Sequence, residues 1–167
     1  MAKQKTLQDM FHDSLKDIYY AERKILKALP KMAKGAQAAD LKAAFEKHRD
    51  ETEQQVERLQ DVFEILGKRA QGKNCPAIDG IIEEGEEILD EYKGTPALDA
   101  GLLAAAQAVE HYEITRYGTL KRWAELLGME DAVKLLDATL TEESKTDEAL
   151  TGLADSLVNE KALGKAA

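Results

Sequence analysis

The chain has 167 residues, a net charge of -9, 33% charged residues and 5% aromatic residues. That length suits one domain with a sizeable core, and the acidic balance excludes nucleic acid as a general partner, since no basic face is present to neutralise phosphates. Ala, Leu, Glu and Lys dominate and no apolar stretch is long enough to span a bilayer, so the class is all-α and no membrane partner is expected.

The segment Met1-Ala2-Lys3-Gln4-Lys5-Thr6 has no apolar run behind it, so no secretory signal is expected. A single cysteine, Cys75, rules out an intrachain disulfide. Both features suit a cytoplasmic location.

The first helix is predicted over residues 6–34, with Thr6 as N-cap and Gly35 just past its end. Its stripe is Leu7, Phe11, Leu15, Ile18, Ile25, Leu29 and Met32, interrupted by Glu22. Pro30 is expected to kink or fray the last turn. The second helix is predicted over 40–66, between an Asp40 N-cap and a Gly67 stop. Its stripe is Leu41, Phe45, His48, Thr52, Gln55, Leu59, Val62 and Leu66, polar in the middle and flanked by Glu51. A turn-rich loop follows, in which Cys75 reads as an ordinary loop cysteine. A shorter amphipathic helix is predicted over 77–93, with Ile78, Ile81, Ile82, Ile88 and Leu89 on one side. Its acidic run, Glu83, Glu84, Glu86 and Glu87, reads as a solvated face.

Thr95 and Pro96 supply an N-cap and a first-turn residue for a third long helix over 97–127. Its stripe runs Leu102, Ala106, Val109, Tyr117, Leu120, Ala124 and Leu127, with Glu113 in the middle and Glu110 on its edge, one turn away. After Gly128, a fourth long helix over 130–159 carries Leu136, Leu140, Leu150, Ala154 and Leu157, broken by Glu143 and Asp147. The tail, 160–167, should fray. Short loops make the first pair of long helices antiparallel, and likewise the second. The long connection lets the second and third run parallel, which is the one-crossover, ferritin-like four-helix bundle.

Each long helix has its polar interruption near its midpoint, and midpoints of antiparallel helices share one level. Glu22, Glu51, Glu113 and Glu143 should therefore converge, with Glu110, Asp147, Gln55 and His48 one turn away. Several carboxylates cannot all stay ionised in a low-dielectric core. Two divalent cations would neutralise four of them, and oxygen-rich ligation suits iron or manganese. No Lys or Arg occupies the central seam to do the same. His48 reads equally as a ligand, as a donor to a ligand, or as a satisfied core histidine. His12 and His111 have no comparable placement. Tyr19 and Tyr117 lie within a turn of Glu22 and Glu113, and core packing is the commoner role for such tyrosines. Trp123 reads as core or interface.

Four segments carry a resemblance: Asp17-Ile18-Tyr19-Tyr20-Ala21-Glu22-Arg23-Lys24, His48-Arg49-Asp50-Glu51-Thr52-Glu53-Gln54-Gln55-Val56-Glu57-Arg58-Leu59, Ala105-Ala106-Gln107-Ala108-Val109-Glu110-His111-Tyr112-Glu113-Ile114 and Thr146-Asp147. With Cys75-Pro76-Ala77, they make the chain resemble the YciE/YciF family of bacterial ferritin-like proteins over almost its whole length. The resemblance implies a stress-associated, dimeric protein with a dinuclear metal centre. The Glu-x-x-His pairs of the wider ferritin-like pattern are missing, since Gln54 and Thr146 stand three residues after Glu51 and Glu143. Gln55 and Asp147, four residues on, take their place.

The reading favoured by the sequence is a protein binding two Fe or Mn ions per chain through Glu22, Glu51, Gln55, Glu110, Glu113, Glu143 and Asp147. Dioxygen or peroxide would be its small-molecule ligands, and Fe(II) oxidation or peroxide consumption its activity. The alternative is a non-catalytic structural protein that dimerises through an apolar helix face around a buried polar layer.

Overall fold

A computed structural model describes residues 4–164. Residues 1–3 and 165–167, on which parts of the leader and tail expectations fall, lie outside the described residues. Five main helices follow one another: α1 (Leu7–Gly35), α2 (Ala39–Ile65), α3 (Pro76–Glu91), α4 (Leu98–Leu126) and α5 (Glu130–Leu153). A π-helical turn, Ala154–Val158, and a last short helix, Asn159–Ala162, continue α5. There is no strand among the described residues, and none of their helices is long and apolar enough to cross a membrane.

Thr6 caps α1 as its sequence predicts. Its hydroxyl accepts from Asp9 N at 3.2 Å and the Asp9 carboxylate accepts from Thr6 N at 2.8 Å, a reciprocal box at the helix start. α1 continues through Pro30 and includes Gly35. Gly35 is therefore not a left-handed stop. It is a point of close approach, since a Cβ there would lie 2.2 Å from Leu89 Cδ1 of α3. Gly67 and Gly128 do end their helices as expected, with φ of 65° and 72°.

Two predicted caps are replaced by other groups. Asp40 lies inside α2, whose N-cap is Ala38. The cap function comes from Asp99 of α4, which accepts from Gln37 N at 2.8 Å and Ala38 N at 2.7 Å. Thr95 and Pro96 belong to the turn before α4, where the Thr95 hydroxyl donates to Tyr92 O at 2.8 Å. α4 begins at Leu98, and its second residue, Asp99, is held at the start of α2.

Gln37 meets Asp99, and Glu22 meets Tyr117, so α1 and α4 run antiparallel. Arg58 with Glu142 and Glu51 with Thr146 show the same for α2 and α5. α1 also packs on α2, and α4 on α5, which closes a four-helix ring around one core. α3 lies outside it on α1 and α4. Tyr20 OH donates to Asp79 at 2.9 Å, and a Cβ on Gly101 would lie 2.6 Å from Ile88 Cγ2, so α3 is seated closely on both. Cys75, at the end of the loop before α3, is buried and structural. It is 1% exposed, its thiol accepts from Ile78 N at 3.4 Å to cap α3, and it lies 3.0 Å from Tyr112 OH.

Candidate metal centre

The polar layer predicted at mid-bundle is present, and its composition is sharper than the sequence indicates. α1 contributes Glu22, α2 His48, α4 Glu110 and Glu113, and α5 Glu143; all are buried. Helical spacing explains why one element can supply two groups: Glu110 and Glu113 are three residues apart, one turn on the same face. Glu110 is 2% exposed, so it faces inward and does not sit on the edge of the stripe. One ligand atom each from His48, Glu110, Glu113 and Glu143 lies within 4.8 Å of the others. His48 Nε2 is 3.4 Å from Glu110 Oε1 and 3.9 Å from Glu113 Oε2.

Glu22 joins this group from the α1 side. The hydroxyl of fully buried Tyr117 donates to its Oε1. Tyr117 thus does more than pack, because it fixes the orientation of one acid. Tyr19 is elsewhere, stacked edge-on against Phe63 with ring centroids 5.5 Å apart and accepting from Gln60 Nε2 at 3.3 Å.

Most of the remaining polar atoms have no protein partner. Glu22 Oε2, Glu110 Oε2 and both carboxylate oxygens of Glu113 and Glu143 are buried without a hydrogen bond, as are both ring nitrogens of His48. The contacts of Glu22 with Glu113, and of Glu110 with Glu143, are hydrogen bonds only when one acid of each pair is protonated. Burial, then the charge of Glu143, pushes the Glu22 carboxyl from 4.5 up to about 8. Burial also pushes Glu110 up, followed by the hydrogen bond and charge of Glu143. Glu113 is raised well above its ordinary value by burial and then by Glu143, Glu22 and Glu110. Burial drives His48 below 6.5 even though Glu143 and Glu51 pull it up. Its imidazole is therefore neutral, the form that can donate a lone pair to a metal.

The other predicted ligands flank the group. Gln55 is buried; its Nε2 donates to Glu142 at 3.1 Å and its Oε1 has no partner. Glu51 is half-buried and bound by Lys47 Nζ at 2.6 Å. Asp147 accepts from Gln107 Nε2 at 3.2 Å and pairs with exposed His111 at 3.1 Å. The structure brings neither Glu51 nor Asp147 into the tight group. Arg58 and Glu142, not singled out by the sequence, form a bidentate pair at 2.6 and 2.7 Å beside Gln55. Burial pushes Glu142 up, but the bonds from Arg58 and Gln55 outweigh it and hold this carboxyl low. The signal that could have found the pair is spacing: Glu142 stands beside Glu143 at the bundle midpoint, and Arg58 lies three residues after Gln55.

The profile of a family described as "Domain of unknown function (DUF892)" matches residues 6–163. The chain belongs to this family. Protein YciF of Escherichia coli (strain K12) is 44% identical over 163 residues, which is 97% of this chain and 98% of that protein. The crystal structure of the E. coli stress protein YciF superposes with a TM-score of 0.89 at 43% identity, over 94% of this chain and 99% of that one. YcfI from Rhodopseudomonas palustris, provisionally described as a structural protein, superposes with a TM-score of 0.86 at 47% identity, covering 90% of this chain and 97% of that one. The resemblance to the YciE/YciF group, read from the four sequence segments, is thereby established.

Proposed function

We propose that this DUF892 member binds two divalent iron or manganese ions at the mid-bundle layer and uses them in oxidant chemistry. The observation that carries the reading is the set of buried acids without partners. Glu22, Glu110, Glu113 and Glu143 are at most 2% exposed, and most of their oxygens have no hydrogen bond. Such groups are costly in a core, as charges if ionised and as unsatisfied polar groups if held protonated. The cation nearest in kind, Arg58, is already engaged in both directions by Glu142. Two divalent ions carry the four positive charges that four carboxylates require.

The donor set fits such ions. Four carboxylates and one neutral imidazole suit iron or manganese better than a thiolate-preferring metal. Glu22, Glu110, Glu113, Glu143 and His48 would hold the ions, and Gln55 Oε1 is a further buried oxygen without a partner. Tyr117 holds Glu22 in place, and burial keeps its hydroxyl protonated so that it donates. Acids held protonated in the empty layer must release their protons as the metal enters, so binding should strengthen as pH rises. Bound ions of this type supply electrons to dioxygen or peroxide. The setting we propose is a cytoplasmic homodimer active under stress, by analogy with the E. coli stress protein.

The test is elemental analysis of protein purified without chelator and of apo-protein reconstituted with Fe(II) or Mn(II), followed by near-UV absorbance after addition of oxygen or peroxide. About two ions per chain and an oxidant-dependent absorbance change are expected. The second reading, a structural bundle with a protonated polar layer, draws on the description of the R. palustris protein. It predicts no bound transition metal after reconstitution and melting temperatures indifferent to Fe(II) or Mn(II).

A further inference from the structure

The acid layer has two sides of opposite character. Toward the α2–α5 seam it meets Glu51, Gln55, Arg58 and Glu142, all able to hydrogen-bond. Toward α3 it meets an apolar cavity inside the bundle. Leu29, Phe45, Leu102 and Leu150 form its inner wall, and Ile82 and Gly85 of α3 form its roof. His48 and Glu110, two members of the layer, also line it, with Thr146 beside them. Its lining runs from buried Leu102 to half-buried Ile81 and Ala105, so it reaches toward the surface beside α3.

The size of the cavity limits what can enter. Its volume is about 50 Å³. A void of that size, lined by carbon, has room for a diatomic gas. Gly85 lets α3 sit close over the cavity: a Cβ there would lie 3.0 Å from Met32 Cε and 3.6 Å from Ala105 Cβ. The chemistry of the wall narrows the choice further. Hydrogen peroxide carries two hydroxyl groups and would lose its hydrogen bonds to water along a carbon-lined path. Dioxygen makes no strong hydrogen bonds to lose, and transfer from water to an apolar space favours it.

We propose that this cavity is a dioxygen site and the path by which that gas, and not peroxide, reaches the acid layer. Its use rests on the dinuclear reading above; its occupancy by a small apolar gas does not.

The probe is xenon, an apolar atom of suitable size. Crystals of the full metal-free chain under xenon pressure should show a peak in contact with Phe45, Leu102 and Ile82. Ala106→Phe should abolish it by placing a ring in the cavity, and Ala105→Leu is a smaller plug should the first variant not fold. Rapid mixing of Fe(II)-loaded protein supplies the second readout. The plug should slow oxidation by dioxygen at least ~10-fold while iron content is unchanged and oxidation by peroxide stays within about 2-fold. No xenon in the wild-type cavity would overturn the proposal. So would a plug that slows both oxidants equally, or one that displaces xenon and leaves the dioxygen reaction untouched. Protein that takes up no iron would sink the dinuclear reading instead, and the xenon peak would still decide whether the cavity holds gas.

Discussion

In metal-free protein, Glu22→Gln should flatten the dependence of stability on pH. Glu22 is raised from 4.5 to about 8 in the folded chain. A folded-state value above the unfolded one means that the native protein holds a proton the unfolded chain has already released. The stability this contributes is fully present below pH 4.5 and is lost as pH rises toward 8. Between pH 4.5 and 7 one such group removes about 3 kcal/mol, at about 1.4 kcal/mol per pH unit. Gln has the shape of the protonated acid and its Oε1 can still accept from Tyr117. The variant should match wild type near pH 5 and exceed it at pH 7. The assay is urea unfolding with chelator at pH 5, 6, 7 and 8. For slopes of about 1–3 kcal/mol per molar urea, the midpoints at pH 7 should differ by on the order of 1–3 M. Wild-type stability that is flat or rises from pH 5 to 8, or a variant with the same pH slope as wild type, would refute the argument.

Glu113→Gln should likewise stabilise the metal-free bundle at neutral pH, while reducing the rise in melting temperature that Fe(II) or Mn(II) produces in wild type; melts of both proteins with chelator and with metal measure it. Asp99→Ala should destabilise by about 1–3 kcal/mol in denaturant unfolding, because Gln37 N and Ala38 N lose their common acceptor at the start of α2. Gly101→Ala should cost about 1–3 kcal/mol in the same assay, since the new Cβ meets Ile88 Cγ2 at 2.6 Å and that atom is fixed close to its own backbone. Arg58→Met should cost about 1–2 kcal/mol near neutral pH and less once Glu142 is protonated in acid, since it leaves that half-buried carboxylate without its bidentate donor.

The bundle was legible because its signals are local and repeated. Stripes such as Phe11, Leu15 and Ile18 recur at helical spacing, and Glu22, Glu113 and Glu143 stand out as acids on seams where carbon belongs. Three features could not be read this way. Asp99 replaces Asp40 at the start of α2 from 61 residues away, and no local pattern encodes that pairing. His48 has one ring against Glu110 and Glu113 of a different helix, so its membership depends on the rotation of α2 about its axis. Glu110 faces inward, and Val109 is only half-buried, because the drift of a 3.6-residue helix against a three-four repeat turns the stripe by a fraction of a residue. The roles of Gly35 and Cys75 share a cause: both are set by how closely α3 is seated, which its own sequence does not state.

The central claim is that the acid layer is a metal centre, and the most direct measurement is anomalous diffraction from crystals of the full chain soaked in Mn(II). Two peaks are expected inside the bundle, bounded by Glu22, His48, Glu110, Glu113 and Glu143, and they should disappear in crystals soaked with chelator. A map with manganese only on exposed carboxylates, and none among these five side chains, would contradict it.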